Sequence, residues 1–232
     1  MHAFQMPDVI INRVRDRTGK VHPFDHLVPE KTALVVVDMQ NYFMKPGFMG
    51  KVAKARDIVP NINRLAAGVR SSGGHVIWIK NSTNETRESW SVFHDFLLTP
   101  DKMQRRYETM TEGHEGHELW SALDARQEDA QIVKKRFSAF IQDSSNLDAH
   151  LRARNIDTVL IAGTATNVCC ESSARDAMML NYKVVMMSDA TATFTDEEHH
   201  ASLTCFYSLF GDVQTVDEAL GFMARNTRRN AA

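Results

Sequence analysis

The stretch Ala33-Leu34-Val35-Val36-Val37 is continuously apolar, rich in β-branched residues, and stops at Asp38. A strand with one wet face alternates polar and apolar residues; a short unbroken run is the mark of a strand buried on both faces. Such a strand needs a covering layer on each side. Further strand-length runs follow at His75 to Lys80, Ala130 to Val133, Thr158 to Ala162, Val184 to Met187 and Val213 to Val216. Helical patterns separate them. Ile58, Ile62, Leu65 and Val69 recur at helical spacing over Asp57 to Ser71, and Gly73-Gly74 stops that helix. Asn146 to Arg154, Ser172 to Leu180 and His199 to Leu209 read as helices, with Asn181 a residue that tolerates a left-handed cap. Alternating strands and helices predict an α/β fold: a doubly wound, mostly parallel six-stranded sheet with helices on both faces, a Rossmann-like three-layer sandwich.

A chain of 232 residues suits one such domain. Residues 31 to 232 are assigned to it. Residues 1 to 30 carry Pro7, Pro23 and Pro29 and read as an extended arm that packs on a neighbouring subunit. A formal net charge of −2 gives no electrostatic case for nucleic acid or an anionic membrane. The longest apolar runs are strand-length, so no membrane span is expected. Met1 to Arg17 lacks a signal-peptide core, and an odd count of three cysteines argues for a reducing compartment; the cytoplasm is the expected location.

Parallel sheets bind ligands at the carboxyl ends of their strands. Asp38, Asn81, Lys134 and the segment Ala165 to Cys169 all fall just past such ends. A thiol at a strand-to-helix turn meets free N–H groups, which lower its pKa and hold a developing oxyanion. Asp38 beside that thiol takes its proton and returns it to a leaving amine; in the plainer reading it caps a turn. Lys134 favours the charged forms of both, or belongs with Lys135 and Arg136 to a solvated charge run. Of the adjacent Cys169 and Cys170, one is a small buried hydrophobe, and Cys205 reads as core.

The histidines give no metal signature. His199 and His200 are adjacent, His114 and His117 flank a glycine in a loop-like segment, and His94 stands apart. Gly163-Thr164-Ala165-Thr166 lacks a phosphate cradle, so no nucleotide is implied. Residues 81 to 130 are irregular and aromatic, the kind of segment that builds substrate pockets.

Three motifs, in order, resemble the isochorismatase-like cysteine hydrolase superfamily: Val35-Val36-Val37-Asp38-Met39-Gln40, Lys134-Lys135-Arg136-Phe137-Ser138-Ala139-Phe140, and Gly163-Thr164-Ala165-Thr166-Asn167-Val168-Cys169. Ala174-Arg175-Asp176-Ala177 and Ser188-Asp189-Ala190 extend the likeness, which spans about Thr32 to Leu220. The resemblance implies a triad of Asp38, Lys134 and Cys169, chooses Cys169 over Cys170, and implies a cis peptide before Ala165. It also implies an oxyanion hole from the Ala165 and Cys169 N–H groups. The implied reaction is hydrolysis of a small amide or ureido compound with no cofactor and no metal, in a homodimer or homotetramer.

Isochorismatases proper replace the cysteine, and nicotinamidases carry a metal-binding histidine where this chain reads Lys80-Asn81-Ser82-Thr83-Asn84. The resemblance is nearest to ureidoacrylate amidohydrolases and related carbamoyl-amide hydrolases, with biuret-, maleamate- and N-carbamoyl-amino-acid amidases as alternatives. Phe137, Thr164, Cys170 and Asn181 depart from the usual pattern. Phe43, Asn81 and Phe140 are candidates for the pocket wall. Core packing for both phenylalanines and loop capping for Asn81 are the alternatives.

Overall fold

The computed structural model describes residues 1–230. Six strands form one parallel sheet: β1 (Thr32–Val37), β2 (His75–Asn81), β3 (Ala130–Lys134), β4 (Thr158–Thr164), β5 (Lys183–Ala192) and β6 (Asp212–Gln214), in the order β3-β2-β1-β4-β5-β6. The order runs outward from β1 to one edge, then outward from β4 to the other. The switch point lies between β1 and β4, where doubly wound sheets open a crevice.

Alternation along each strand divides the core in two. Ala33, Val35, Val37, Val159, Ile161, Val184 and Met186 face one side; Leu34, Val36, Leu160, Ala162, Val185 and Met187 face the other. The first side is covered by α1 (Asp8–Thr18), α5 (Leu147–Arg152), α6 (Glu171–Met179) and α7 (Asp196–Leu209), through residues such as Val14, Leu151, Ala174 and Phe206. The second is covered by α3 (Val59–Ser71) and α8 (Val216–Asn230), through Ile62, Leu65, Val69, Val216 and Met223. Burying a large aliphatic side chain in such a layer contributes about 1.5–3 kcal/mol. Two short helices, α2 (Asn41–Met44) after β1 and α4 (Pro100–Thr109) in the long β2-to-β3 connection, complete the chain. Among the described residues no helix is long and apolar enough to cross a membrane.

Four expectations need correction. The extended arm contains α1, closed by Gly19 at φ 77° and packed on α7 through buried Val14, so it covers its own chain's core. Helix α7 begins at Asp196, three residues before His199, because Thr195 and Glu198 form a reciprocal capping box. The last strand stops at Gln214: Thr215 and Glu218 bond each other's N–H groups at 3.2 and 2.7 Å, and Val216 starts α8. Cys205, read as core, is exposed.

Candidate active site

Strand β1 ends at Asp38, which takes the left-handed φ of 54° and donates its N–H to the Ile79 carbonyl at 3.0 Å. Aspartate tolerates that conformation better than most residues. Beside it, Gly163 has φ 110°, and a Cβ there would lie 2.1 Å from the Val37 carbonyl oxygen. Only glycine lets β4 approach β1 so closely. The Thr164 hydroxyl then donates to the Asp38 carbonyl at 3.1 Å, and the Thr164–Ala165 peptide bond is cis.

Cys169 stands in the wide turn Thr166–Cys170 that joins β4 to α6. Its carbonyl accepts from the Ser173 hydroxyl at 2.7 Å, and that hydroxyl accepts the Ala139 N–H at 3.0 Å, which ties the turn to the segment after β3. Cys170 is fully buried with its Sγ 3.9 Å from the Ala162 carbonyl, the small buried hydrophobe of the pair.

The last residue of β3 reaches both. Lys134 Nζ is 2.9 Å from Asp38 Oδ2, 3.4 Å from Cys169 Sγ and 2.9 Å from the Arg136 carbonyl, so all three ammonium hydrogens have destinations. The Asp38 and Lys134 side chains are 0% exposed. Lys134 and the Cys169 thiol both act as donors to the Asp38 carboxylate.

Burial sets the protonation of this cluster. It raises the Asp38 pKa, against the pull of Lys134. It works to discharge Lys134, but Asp38 and Cys169 outweigh it and hold the ammonium above the usual lysine range. The Cys169 thiol is pushed up to about 12, by burial first and the Asp38 charge second. The expectation of a thiol acidified by a helix start is therefore corrected: desolvation beside a carboxylate dominates, and the resting group is a thiol. A buried carboxylate of raised pKa that already receives the thiol's hydrogen bond is a competent acceptor for its proton.

The three candidate wall residues part ways. Phe43 is near-buried in a satellite cluster with Tyr42 and Met110, its ring edge-on to Tyr42 at 5.0 Å. Asn81 is buried and donates its side-chain amide to the Arg136 carbonyl at 3.4 Å, the same oxygen that receives Lys134. That contact holds the triad loop. Phe140 is buried in the same apolar layer as Cys169, its ring 5.8 Å from that of Tyr182.

Gln40 lies two residues beyond Asp38. Its buried amide accepts the Asn81 N–H at 2.7 Å and donates to the Asn81 and His117 carbonyls at 3.0 Å, lashing the ends of β1 and β2 together. Arg106 of α4 gave no sequence signal, yet its guanidinium packs over the Tyr42 and Phe93 rings, and its charge acts on both Asp38 and Cys169.

The histidines are engaged locally. His114 accepts the Gly116 N–H, His94 bonds the Thr86 hydroxyl, and His200 bonds the Ala3 carbonyl. His199 lies between the Thr166 hydroxyl and the Ser188 carbonyl, held neutral with its pKa lowered to about 3 by burial and by His2. Among the described residues no three His, Cys, Asp or Glu side chains group as metal ligands do.

The model of the isochorismatase domain matches residues 32–218. A ureidoacrylate amidohydrolase of Acinetobacter baylyi is 33% identical over 216 residues, covering 86% of each chain. A probable inactive nicotinamidase of Arabidopsis thaliana is 34% identical over 174 residues, 74% of this chain and 86% of that one. The crystal structure of a cysteine hydrolase from Pseudomonas syringae pv. phaseolicola 1448A superposes with a TM-score of 0.76 at 29% identity, covering 86% of this chain and 95% of that chain.

Proposed function

The chain belongs to the isochorismatase family of hydrolases, and from that premise we propose that it is a cysteine-dependent amidohydrolase opening a C–N bond of a small ureido or carboxamide compound. The observation that carries the reading is the buried contact of Lys134 with both Asp38 and Cys169. The likeness to a ureidoacrylate amidohydrolase supports a ureidoacrylate-like substrate.

Because the resting thiol is protonated, the thiolate forms only as attack begins. Asp38 accepts the Cys169 proton while Sγ bonds to the carbonyl carbon, and the carbonyl electrons move to oxygen. Lys134 fixes the carboxylate and offsets the developing negative charge. The Ala165 and Cys169 N–H groups are the proposed donors to the oxyanion. Collapse breaks the C–N bond, and the amine leaves with the proton held by Asp38. A thioester remains, or a thiocarbamate from a ureido group. Asp38 then takes a proton from water, whose oxygen attacks the acyl carbon. The acid or carbamate departs and the proton returns to Sγ.

The test is ammonia release from purified protein over a panel of ureido acids, biuret, maleamate and nicotinamide, with Cys169→Ala in parallel. Release that vanishes in the variant is the expected result. Release that persists in the variant, or none from any compound, sinks the reading.

A further inference from the structure

Arg106 is 7% exposed, and its guanidinium carbon stands 5.6 Å from the Tyr42 ring centroid and 5.3 Å from that of Phe93. Among the described residues no carboxylate pairs with it, and its buried Nε has no hydrogen-bond partner. A buried cation without a counter-charge is costly, and aromatic faces offset only part of that cost.

The missing partners concentrate here. Thr83 Oγ1, His94 Nδ1 and Arg106 Nε are all buried and unmatched. The first three belong to one knot of chain. The Thr83 N–H donates to the Met110 carbonyl at the end of α4, and the His94 ring lies 5.0 Å from that of Tyr107, the residue after Arg106. Native proteins rarely leave such atoms orphaned without a reason, and a bound polar ligand is one. Charge agrees. Asp38 and Lys134 offset each other, the thiol is neutral, and burial and then Arg106 lower the His94 pKa. Arg106 also hydrogen-bonds Tyr42, yet its Nε is left unpartnered. A guanidinium without a carboxylate of its own matches a ligand carboxylate in both charge and shape.

We propose that Arg106 is the anion anchor of the site, so that the enzyme's substrates are small amides or ureido compounds bearing a carboxylate near the scissile group. This rests on the amidohydrolase reading above and narrows it. Ureido acids and the monoamides of diacids fit; neutral compounds of similar shape, such as biuret or nicotinamide, leave the cation buried and unmatched.

The experiment compares two isosteric pairs, succinamate with succinamide and N-carbamoylglycine with its amide, in the wild type, Arg106→Met and Arg106→Lys. The wild type should favour each acid by about 30- to 4,000-fold in kcat/KM, the range for losing one partner of a buried charge pair. In Arg106→Met that ratio should collapse towards one, chiefly through KM for the acid, and Arg106→Lys should restore part of it. An indifferent wild type, or a variant that slows both members equally and keeps their ratio, overturns the proposal and leaves Arg106 a packing residue. A second readout needs no turnover: protection of Cys169 from iodoacetamide, read by mass spectrometry of its peptide. Protection by succinamate but not succinamide, lost in Arg106→Met, upholds the anchor even where nothing is hydrolysed, and the hydrolase reading falls instead. Equal protection, or none, overturns the anchor.

Discussion

Strand β3 has an aspartate ion pair at each end, and the two are built differently. At the amino end, Asp129 receives Arg70 through two nitrogens at 2.9 and 2.6 Å, the Trp78 indole N–H at 2.8 Å and the Arg126 N–H at 2.9 Å. Burial lifts its pKa, but those donors outweigh burial and hold it below the usual range. At the carboxyl end, Asp38 meets Lys134 at 2.9 Å and the Cys169 thiol, and burial wins over both. The saturated pair is committed to its charge and braces the fold. The other pair keeps the capacity to accept a proton. Complete burial at Asp38, against a full set of donors at Asp129, separates the two.

The largest effect expected of breaking this contrast is on turnover. Asp38→Asn should lower kcat per folded molecule by about 10³- to 10⁴-fold, as loss of a base does in other nucleophilic hydrolases. Asp129→Asn should instead lower unfolding stability by about 2–4 kcal/mol, below the usual cost of a broken buried pair because Asp124 still partners Arg70, and should leave kcat intact. Urea denaturation and initial rates on both variants decide this; a crossover in which Asp129→Asn is inactive but stable erases the distinction.

Next comes the sign of the pH dependence. The folded pKa of Asp129 is lowered, so its contribution to stability is present above the unfolded value and lost as pH falls through the folded one. The folded pKa of Asp38 is raised, so its contribution runs the other way: stability falls as pH rises from the unfolded value through the folded one. Carboxyl ¹³C titration should place the two on opposite sides of the ordinary aspartate pKa. The smallest effect belongs to Cys170→Ala, which removes one buried sulfur behind the nucleophile. It should cost about 1 kcal/mol and keep most activity; an inactive Cys170→Ala with an active Cys169→Ser reverses the choice of nucleophile.

The central strands were legible because burial on both faces forbids alternation, so β1, β4 and β5 announce themselves as unbroken runs ending near polar residues. Asp38, Lys134 and Cys169 were visible through their places at those ends. The Val213-to-Val216 run misled: its β-branched pattern continues through Val216, while the Thr215-to-Glu218 spacing is a capping box that overrides it. Thr195 and Glu198 carry the same signal before α7. Arg106 was not legible at all. Helix α4 also holds Asp101, Lys102, Arg105 and Glu108, and only its packing against Tyr42 and Phe93 tells which charge is buried. The thiol's protonation was misread because a sequence gives a residue's place in a turn but not its depth or the field around it.

Gly163, whose bare backbone lets β4 lie against β1, has a consequence for when the thiol becomes shielded during the protein's own synthesis. The Thr164–Asp38 contact spans 126 positions, and Lys134 and Cys169 are a further 35 apart. Contacts this distant along the chain close late, because loop entropy must be overcome first. A nascent chain that has made β1, β2 and β3 therefore carries an aspartate and a lysine with no thiol between them. Cys169 enters its special surroundings only when the two halves of the sheet zip together. Its chemical reactivity is thus a clock for the final step of assembly, readable by timed alkylation as the chain refolds.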